Sequence, residues 1–232
     1  MGKIRNIAII PARGGSKRLP RKNIKSFLGK PIIAYSIEAA INCGLFDEVM
    51  VSTDDKEIAE IAKSFGASVP FMRSETNADD FAGLADVIEE VLLNYRKENK
   101  LFMNACCILP TAPFINKETL TNGYAKLVDE KFNSVFPILE YSYPIQRSLK
   151  VRKARVEMVW GKYLNSRSQD LKPRYHDAGQ FYWIKTEQFI KDKKIFTNNS
   201  GGVIISELLA QDIDNETDFK LAEIKYKLML DD

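Results

Sequence analysis

Apolar residues in this chain fall into short solid runs that alternate with longer stripes of helical period. The run Ile7-Ala8-Ile9-Ile10, ended by Pro11, predicts a buried strand. Pro31 then opens a stripe of Ile33, Ile37, Ala40 and Ile41 that stops at Gly44. Proline in the first helical turn and glycine just past the last are ordinary helix limits. Val49-Met50-Val51 predicts a second strand, and Ile58, Ile61, Ala62 and Phe65, closed by Gly66, a second helix. A third strand is expected over 67–72, a helix under Val87, Ile88, Val91, Leu92 and Tyr95, and a fourth strand over 105–109. Pro110 and Pro113 mark a turn before a helix carrying Leu120, Tyr124 and Leu127. Such alternation predicts a doubly wound α/β fold, a mostly parallel sheet with helices on both faces.

The alternation breaks between about 141 and 175. This stretch is polar and basic, with Gln146, Arg147, Lys150, Arg152, Lys153, Arg155, Arg167, Lys172 and Arg174. It reads as an excursion from the main sheet, a small β-arm. Strands return at 179–184 and 202–206, and a last helix is expected over about 216–230. At 232 residues the chain is expected to form a single domain, 1–232, with a core large enough to need no disulfides. Cys106 and Cys107 sit together in an apolar run and read as core thiols. The net charge of +3 argues neither for nor against a nucleic-acid partner, and none is expected; no window is long and apolar enough for a membrane span. A cytoplasmic enzyme of small molecules is the expectation.

Charge becomes informative locally. The loop after the first strand runs Pro11-Ala12-Arg13-Gly14-Gly15-Ser16-Lys17-Arg18-Leu19-Pro20-Arg21-Lys22-Asn23. Six cations and no carboxylate lie between Arg13 and Lys25, in a chain whose whole excess is three. Such a field attracts a polyphosphate, and paired glycines allow a tight turn that aims backbone N–H groups at an anion. The carboxyl end of a strand is where open α/β sheets bind ligands. The loop is not a Walker A motif, since Gly29-Lys30 is followed by proline, and it lacks the G-x-G-x-x-G spacing of dinucleotide folds. A solvated basic loop is the plainer alternative.

Near the C-terminus, Gln211-Asp212-Ile213-Asp214 places two carboxylates two residues apart. In an extended stretch they project to one side, suiting a hard divalent ion such as Mg²⁺. Equally, Asp214 or Asn215 could cap the last helix, with Asp218 reinforcing its first turn.

At these residues the chain resembles the acylneuraminate cytidylyltransferases. The resemblance runs from Ala8-to-Asn23 through Phe46-to-Asp54, Arg73, Leu109-to-Pro113 and Asp212-Ile213-Asp214, in that family's order. Arg167-Ser168-Gln169-Asp170-Leu171, Tyr175-His176-Asp177-Ala178-Gly179, Ala78-Asp79-Asp80 and the tail 211–226 resemble the branch acting on pseudaminic acid. Sialic acid enzymes more often read Asn-Gly where this chain has Ala178-Gly179, while the 110–113 loop is closer to the broader family.

The resemblance implies transfer of CMP from CTP to the anomeric hydroxyl of an acidic nine-carbon 2-keto sugar, with pyrophosphate leaving. It implies that Arg13, Lys17 and Lys22 hold the triphosphate, with Ala12, Gly14, Gly15 and Ser16 also nucleotide-binding, that Asn23 and Arg73 help fix the nucleoside, and that Asp212 and Asp214 carry Mg²⁺. Catalysis would rest on Arg13, Lys22, Asp212 and Asp214. The acceptor pocket is implied at Gln146, Arg147, Arg167, Gln169, His176, Gln180 and Tyr182; a guanidinium suits its carboxylate, and His176 could serve as a base. The arm resembles the family's dimerisation element, so a homodimer is expected. Lys17 and Lys22 as solvated side chains, Arg73 paired with Glu75, and a structural His176 stay open. So do synthetases for the N-acetylneuraminate, legionaminate or ketodeoxyoctonate CMP-sugars, a sugar-1-phosphate nucleotidyltransferase, and a non-catalytic nucleotide-binding module.

Overall fold

The computed structural model describes residues 6–79 and 81–231. In chain order the elements are β1 (Asn6–Pro11), the two-residue strands β2 (Ser26–Phe27) and β3 (Lys30–Pro31), α1 (Ile32–Cys43), β4 (Glu48–Ser52), α2 (Lys56–Ser64), α3 (Glu75–Ala78), α4 (Leu84–Lys97), β5 (Asn104–Ile108) and α5 (Lys117–Asp129). There follow β6 (Ser134–Glu140), β7 (Leu149–Arg152), β8 (Arg155–Met158), β9 (Tyr175–Asp177), β10 (Phe181–Lys185), α6 (Thr186–Asp192), β11 (Ser200–Ile204) and α7 (Glu216–Asp231).

Strand order in the central sheet is β11-β6-β10-β5-β1-β4, with β9 also on β6. β4, β1, β5, β6 and β11 run one way, and β9 and β10 run against them. The expected doubly wound, mostly parallel architecture is what forms. Alternation along β1 shows how the core is split. Ala8 and Ile10 pack under α1, α2 and α5, while Ile7 and Ile9 pack with Ile88, Val91 and Tyr95 of α4 on the other face. A third apolar cluster, Leu19, Phe27, Ile32, Tyr35, Phe114, Ile213, Phe219 and Ala222, ties the basic loop, α1, α7 and the segment before α7 together.

Three expectations need correction. No strand forms over 67–72. Ser68 makes one parallel bridge to Met50, and Pro70, with no N–H to give a ladder, stops it. The last strands shift by a residue or two: β10 to 181–185, because Gly179 turns in the left-handed region (φ 63°) to admit β9 before it, and β11 to 200–204, in register with 134–138 of β6. β6, over 134–140, falls in a stretch that the pattern left unassigned. Its Pro137 falls where β6 passes from β10 to β9, between the two antiparallel pairings, where its carbonyl still accepts from Ala178 N–H (3.1 Å) and its missing N–H breaks neither register. The 141–175 excursion does leave the sheet as a small arm, with β7 and β8 paired only to each other.

Candidate active site

The loop after β1 is shaped by the loop after β4. Ala12 N–H donates to the Ser52 carbonyl (2.9 Å) and Gly14 N–H to Asp54 Oδ1 (2.9 Å). The glycine pair does turn tightly, Ser16 N–H closing back on the Gly14 carbonyl (3.0 Å), although neither Gly14 nor Gly15 sits in the left-handed region. Gly14 is needed for another reason: a Cβ on it would lie 2.7 Å from Asp55 Oδ2. Asp55 also caps α2 by accepting from Ile58 N–H (3.0 Å) and pairs with Arg21, whose backbone is left-handed (φ 56°). Arg21 further reaches Glu57 Oε2 (2.5 Å). The Arg21 hydrogen bond holds the Asp55 carboxyl below the usual carboxylate range. Leu19, buried in the third cluster, pins the other end of the loop.

A cleft of about 380 Å³ opens at the carboxyl ends of β1 and β5, beside that of β4, where the sheet order switches. Its lining brings together Arg13, Ser16, Lys17, Arg18, Lys22, Asn23, Arg73, Asp212 and Asp214, with the α4 N-terminus at Gly83 and Leu84. Partial positive charge at that helix end adds to the basic field. Arg13 donates to the Asp79 carbonyl (2.8 Å), and Asn23, buried, donates to the Arg13 carbonyl (2.9 Å), so it braces the loop from behind. Asp80, quoted with Asp79 above, lies outside the described residues.

Arg73 is only 7% exposed, and donates to Ser52 Oγ (3.0 Å) and the Ser52 carbonyl (2.5 Å). It is therefore a wall of the cleft and not a surface partner of Glu75. Burial works against its charge, and nearby Asp54 and Glu90 favour it. Lys22 Nζ donates to the Ile213 carbonyl (2.5 Å) and stands 3.7 Å from Asp214 Oδ1, which argues against a freely solvated Lys22.

The segment before α7 alternates. Ile213 is fully buried, and Asp212 and Asp214 on either side of it both line the cleft. The helix cap is made by others: Asn215 Oδ1 accepts from Thr217 N–H (2.9 Å) and Asp218 N–H (3.1 Å). In return Asp218 Oδ2 accepts from Asp214 N–H (2.9 Å) and Asn215 N–H (3.1 Å). The Asp214 carboxylate is left to face the cleft, and Arg18 Nη1 meets its Oδ2 at 2.5 Å. Desolvation by the cleft wall, then the like charge of Asp214, raise the Asp212 carboxyl above its usual value. Two mutually repelling carboxylates beside a phosphate-attracting field fit Mg²⁺, which takes few carboxylates and completes its shell with phosphate and water. No cluster of three or more His, Cys, Asp or Glu forms a richer metal site among the described residues.

The acceptor candidates do not line this cleft. Gln180 donates to the Leu209 carbonyl, just ahead of the aspartate segment, and the Tyr182 hydroxyl donates to Asp177 Oδ2 (2.6 Å). Burial, that bond and the nearby Asp212 charge push the Tyr182 hydroxyl's pKa upward. His176 donates from Nδ1 to the Asp177 carbonyl (2.9 Å) and packs on Tyr141. Gln146 is buried, donating to the Lys172 carbonyl (2.9 Å), with its Oε1 unpartnered. Arg147 reaches Ser168 Oγ (3.3 Å), Arg167 pairs with Asp170 (2.7 Å), and Gln169 is exposed. These residues follow the arm and the β9–β10 turn.

Sequence reasoning gave no role to Arg18, Asp54, Asp55 or Asp177. Asp55 carried a legible signal, an acidic residue three positions before Ile58, where the helical stripe opens. A larger cavity, about 1040 Å³, lies at the opposite end of the sheet beside Leu92, Asn104 and Lys185 and holds none of the candidates. Among the described residues no helix is long and apolar enough to cross a membrane.

Comparison with known proteins fits this geometry. A family model described as cytidylyltransferase matches residues 7–223. A pseudaminic acid cytidylyltransferase of Campylobacter jejuni is 42% identical over 226 residues, covering 97% of each chain. A CMP-N,N'-diacetyllegionaminic acid synthase of Legionella pneumophila is 33% identical over 95% of each. The solved structure of a CMP:2-keto-3-deoxy-manno-octonic acid synthetase complexed with CTP has the same fold, with a TM-score of 0.69 at 17% identity over 98% of this chain and 99% of that one.

Proposed function

This chain belongs to the cytidylyltransferase family, and on that premise we propose that it transfers CMP from CTP to the anomeric hydroxyl of pseudaminic acid, a nine-carbon 2-keto sugar acid. The observation that carries the proposal is the single cleft in which Arg13, Lys17, Lys22 and Arg73 face Asp212 and Asp214. The Campylobacter relative, similar over 97% of each chain, supports the choice of sugar. The Legionella relative makes the legionaminate series the second substrate to try.

In the reaction the sugar hydroxyl attacks the α-phosphorus of CTP, the bond to the β-phosphate oxygen breaks, and pyrophosphate departs. Arg13, Lys17 and Lys22 bind the triphosphate and stabilise the charge that builds on it, with Asn23 holding Arg13 in place. Arg73 closes the wall on the nucleoside side. Little covalent chemistry is asked of the protein, so positioning and electrostatics carry the rate. Asp212 and Asp214 would hold Mg²⁺, which neutralises phosphate charge and makes a nearby hydroxyl more acidic. The acceptor is held by the Gln146, Arg147, Arg167, Gln169, His176, Gln180 and Tyr182 set, with the arm completing a homodimer.

Pyrophosphate release with four nucleoside triphosphates and a panel of nonulosonic acids tests this. CTP should far exceed ATP, GTP and UTP. Pseudaminate should exceed N-acetylneuraminate in kcat/KM by at least about 100-fold, roughly 2.7 kcal/mol of transition-state binding. Equal rates with ATP would overturn cytidylyl transfer; equal use of N-acetylneuraminate would overturn the choice of sugar alone.

A further inference from the structure

Of the two cleft aspartates, only Asp214 is neutralised by contact. Arg18 meets its Oδ2 at 2.5 Å and Lys22 stands 3.7 Å from its Oδ1. Lys22 is already engaged by the Ile213 carbonyl, so its position is set by the backbone. Arg18 differs. Its side chain is 73% exposed, and beyond Asp214 it makes no other hydrogen bond or ion pair among the described residues. The neighbouring Leu19 is locked in the core, so the backbone is anchored while the side chain can swing. Asp212, by contrast, has no cation within ion-pair distance among the described residues, since Arg18 and Lys22 both turn to Asp214.

We propose that Arg18 is a positioning residue with two stations. With the cleft empty it occupies Asp214; when a metal-bound triphosphate arrives it gives up the carboxylate and moves to the phosphates. The proposal rests on the cytidylyl-transfer reading above. It follows from competition: with Arg18 on Oδ2 and Lys22 beside Oδ1, a divalent ion at Asp214 must share the carboxylate with a cation already there. The incoming triphosphate offers the displaced fork a bidentate partner, which a guanidinium fits better than an ammonium does. Metal and nucleotide therefore load together, because each removes an obstacle to the other, and the coupling is reciprocal. An exposed ion pair is weak, so the metal penalty amounts to about two- to fivefold in affinity.

The test measures binding, with turnover left out. Mn²⁺ alone is titrated into the nucleotide-free protein by electron paramagnetic resonance, and CTP is titrated calorimetrically with and without Mg²⁺. Arg18→Ala should bind Mn²⁺ about two- to fivefold more tightly than wild type while binding CTP in Mg²⁺ roughly tenfold more weakly. Arg18→Lys should return both values toward wild type. The gain in Mn²⁺ affinity should vanish in Arg18→Ala/Asp214→Asn. A loss of affinity for both ligands, unchanged CTP affinity, or no gain of Mn²⁺ binding in Arg18→Ala overturns the proposal. A wild-type protein that binds no CTP overturns the functional reading beneath it.

Discussion

The aspartate segment allows function and stability to be separated by neighbouring substitutions. In Asn215→Ala, two backbone N–H groups of α7, those of Thr217 and Asp218, lose their acceptor. Loss of an N-cap costs about 1 kcal/mol, and in a chain of this length each kcal/mol moves the melting point by roughly 2–4 °C. Asn215→Ala should therefore melt about 3 °C lower and keep near-normal turnover. Asp214→Asn leaves the cap untouched and loses an exposed pairing with Arg18, worth about 0–1 kcal/mol. Its melting point should change by less than about 2 °C. Turnover should fall by about 10²–10³, the loss of roughly 3–4 kcal/mol of transition-state stabilisation.

Asp212→Asn adds a sign. The Asp212 carboxyl is raised in the folded state, first by desolvation and then by Asp214. The folded protein thus holds that proton more tightly than the unfolded chain, and its ionisation costs stability as pH rises through the shifted range. Removing the charge should leave the protein as stable or slightly more stable at neutral pH while turnover collapses. The assays are thermal melting beside pyrophosphate release at saturating CTP and Mg²⁺. If Asp214→Asn melts like Asn215→Ala yet turns over within threefold of wild type, the aspartate belongs to the helix and the metal-holding argument fails.

Three further outcomes are expected. Asp55, depressed by Arg21, stabilises the fold above the ordinary carboxylate range and loses that contribution as pH falls through its lowered value; wild type and Asp55→Asn should melt apart at neutral pH and converge in acid, and a constant gap would refute the pairing. The three cysteines are buried, with Cys107 pushed up to about 12 and Cys106 raised, both by burial; a disulfide reagent should label none of them in the native protein and three in denaturant, and rapid native labelling would contradict the packing. On the arm, Val151→Asp with Val156→Asp should turn a dimer into a monomer by light scattering at fixed concentration, and an unchanged mass would remove the arm from the interface.

What was legible in the chain follows from the range of the forces involved. Ile7 to Ile10, buried on both faces, announces β1 without help from any distant residue. The Arg13-to-Asn23 loop is equally plain because its charge is contiguous in sequence. Its tight glycine turn was legible, but the second constraint on Gly14 was not, since that comes from Asp55, forty-one positions away. Over 67–72 the β-rich composition competes with Pro70, and only the edge position beside β4 decides the outcome. β6 was unreadable for the converse reason: Pro137 is tolerated because two different strands share that one edge. Of the capping readings, the one that forms is Asn215 with Asp218, whose reciprocal bonding leaves the Asp214 carboxylate to the cleft.

The acceptor side was least legible, and the arm explains why. In the β7–β8 ribbon Leu149 stands opposite Met158 and Val151 opposite Val156, while Lys150 faces Glu157 and Arg152 faces Arg155. One face is therefore apolar and the other charged, the alternation of a ribbon that buries one side. Yet Leu149, Val151 and Val156 are 60%, 70% and 59% exposed in the single chain. Isolated two-stranded ribbons are marginal in water without something on their apolar face. Gln146 and Arg147 lead directly into this ribbon, and Arg167 and Gln169 lead out of it. Residues tethered to a surface that one chain leaves uncovered take their final positions when that surface is covered. If a second copy is the cover, as proposed above, dimerisation would finish the pocket for the sugar acid, while the nucleotide cleft, lined from the sheet and the third core cluster, would need only its own chain.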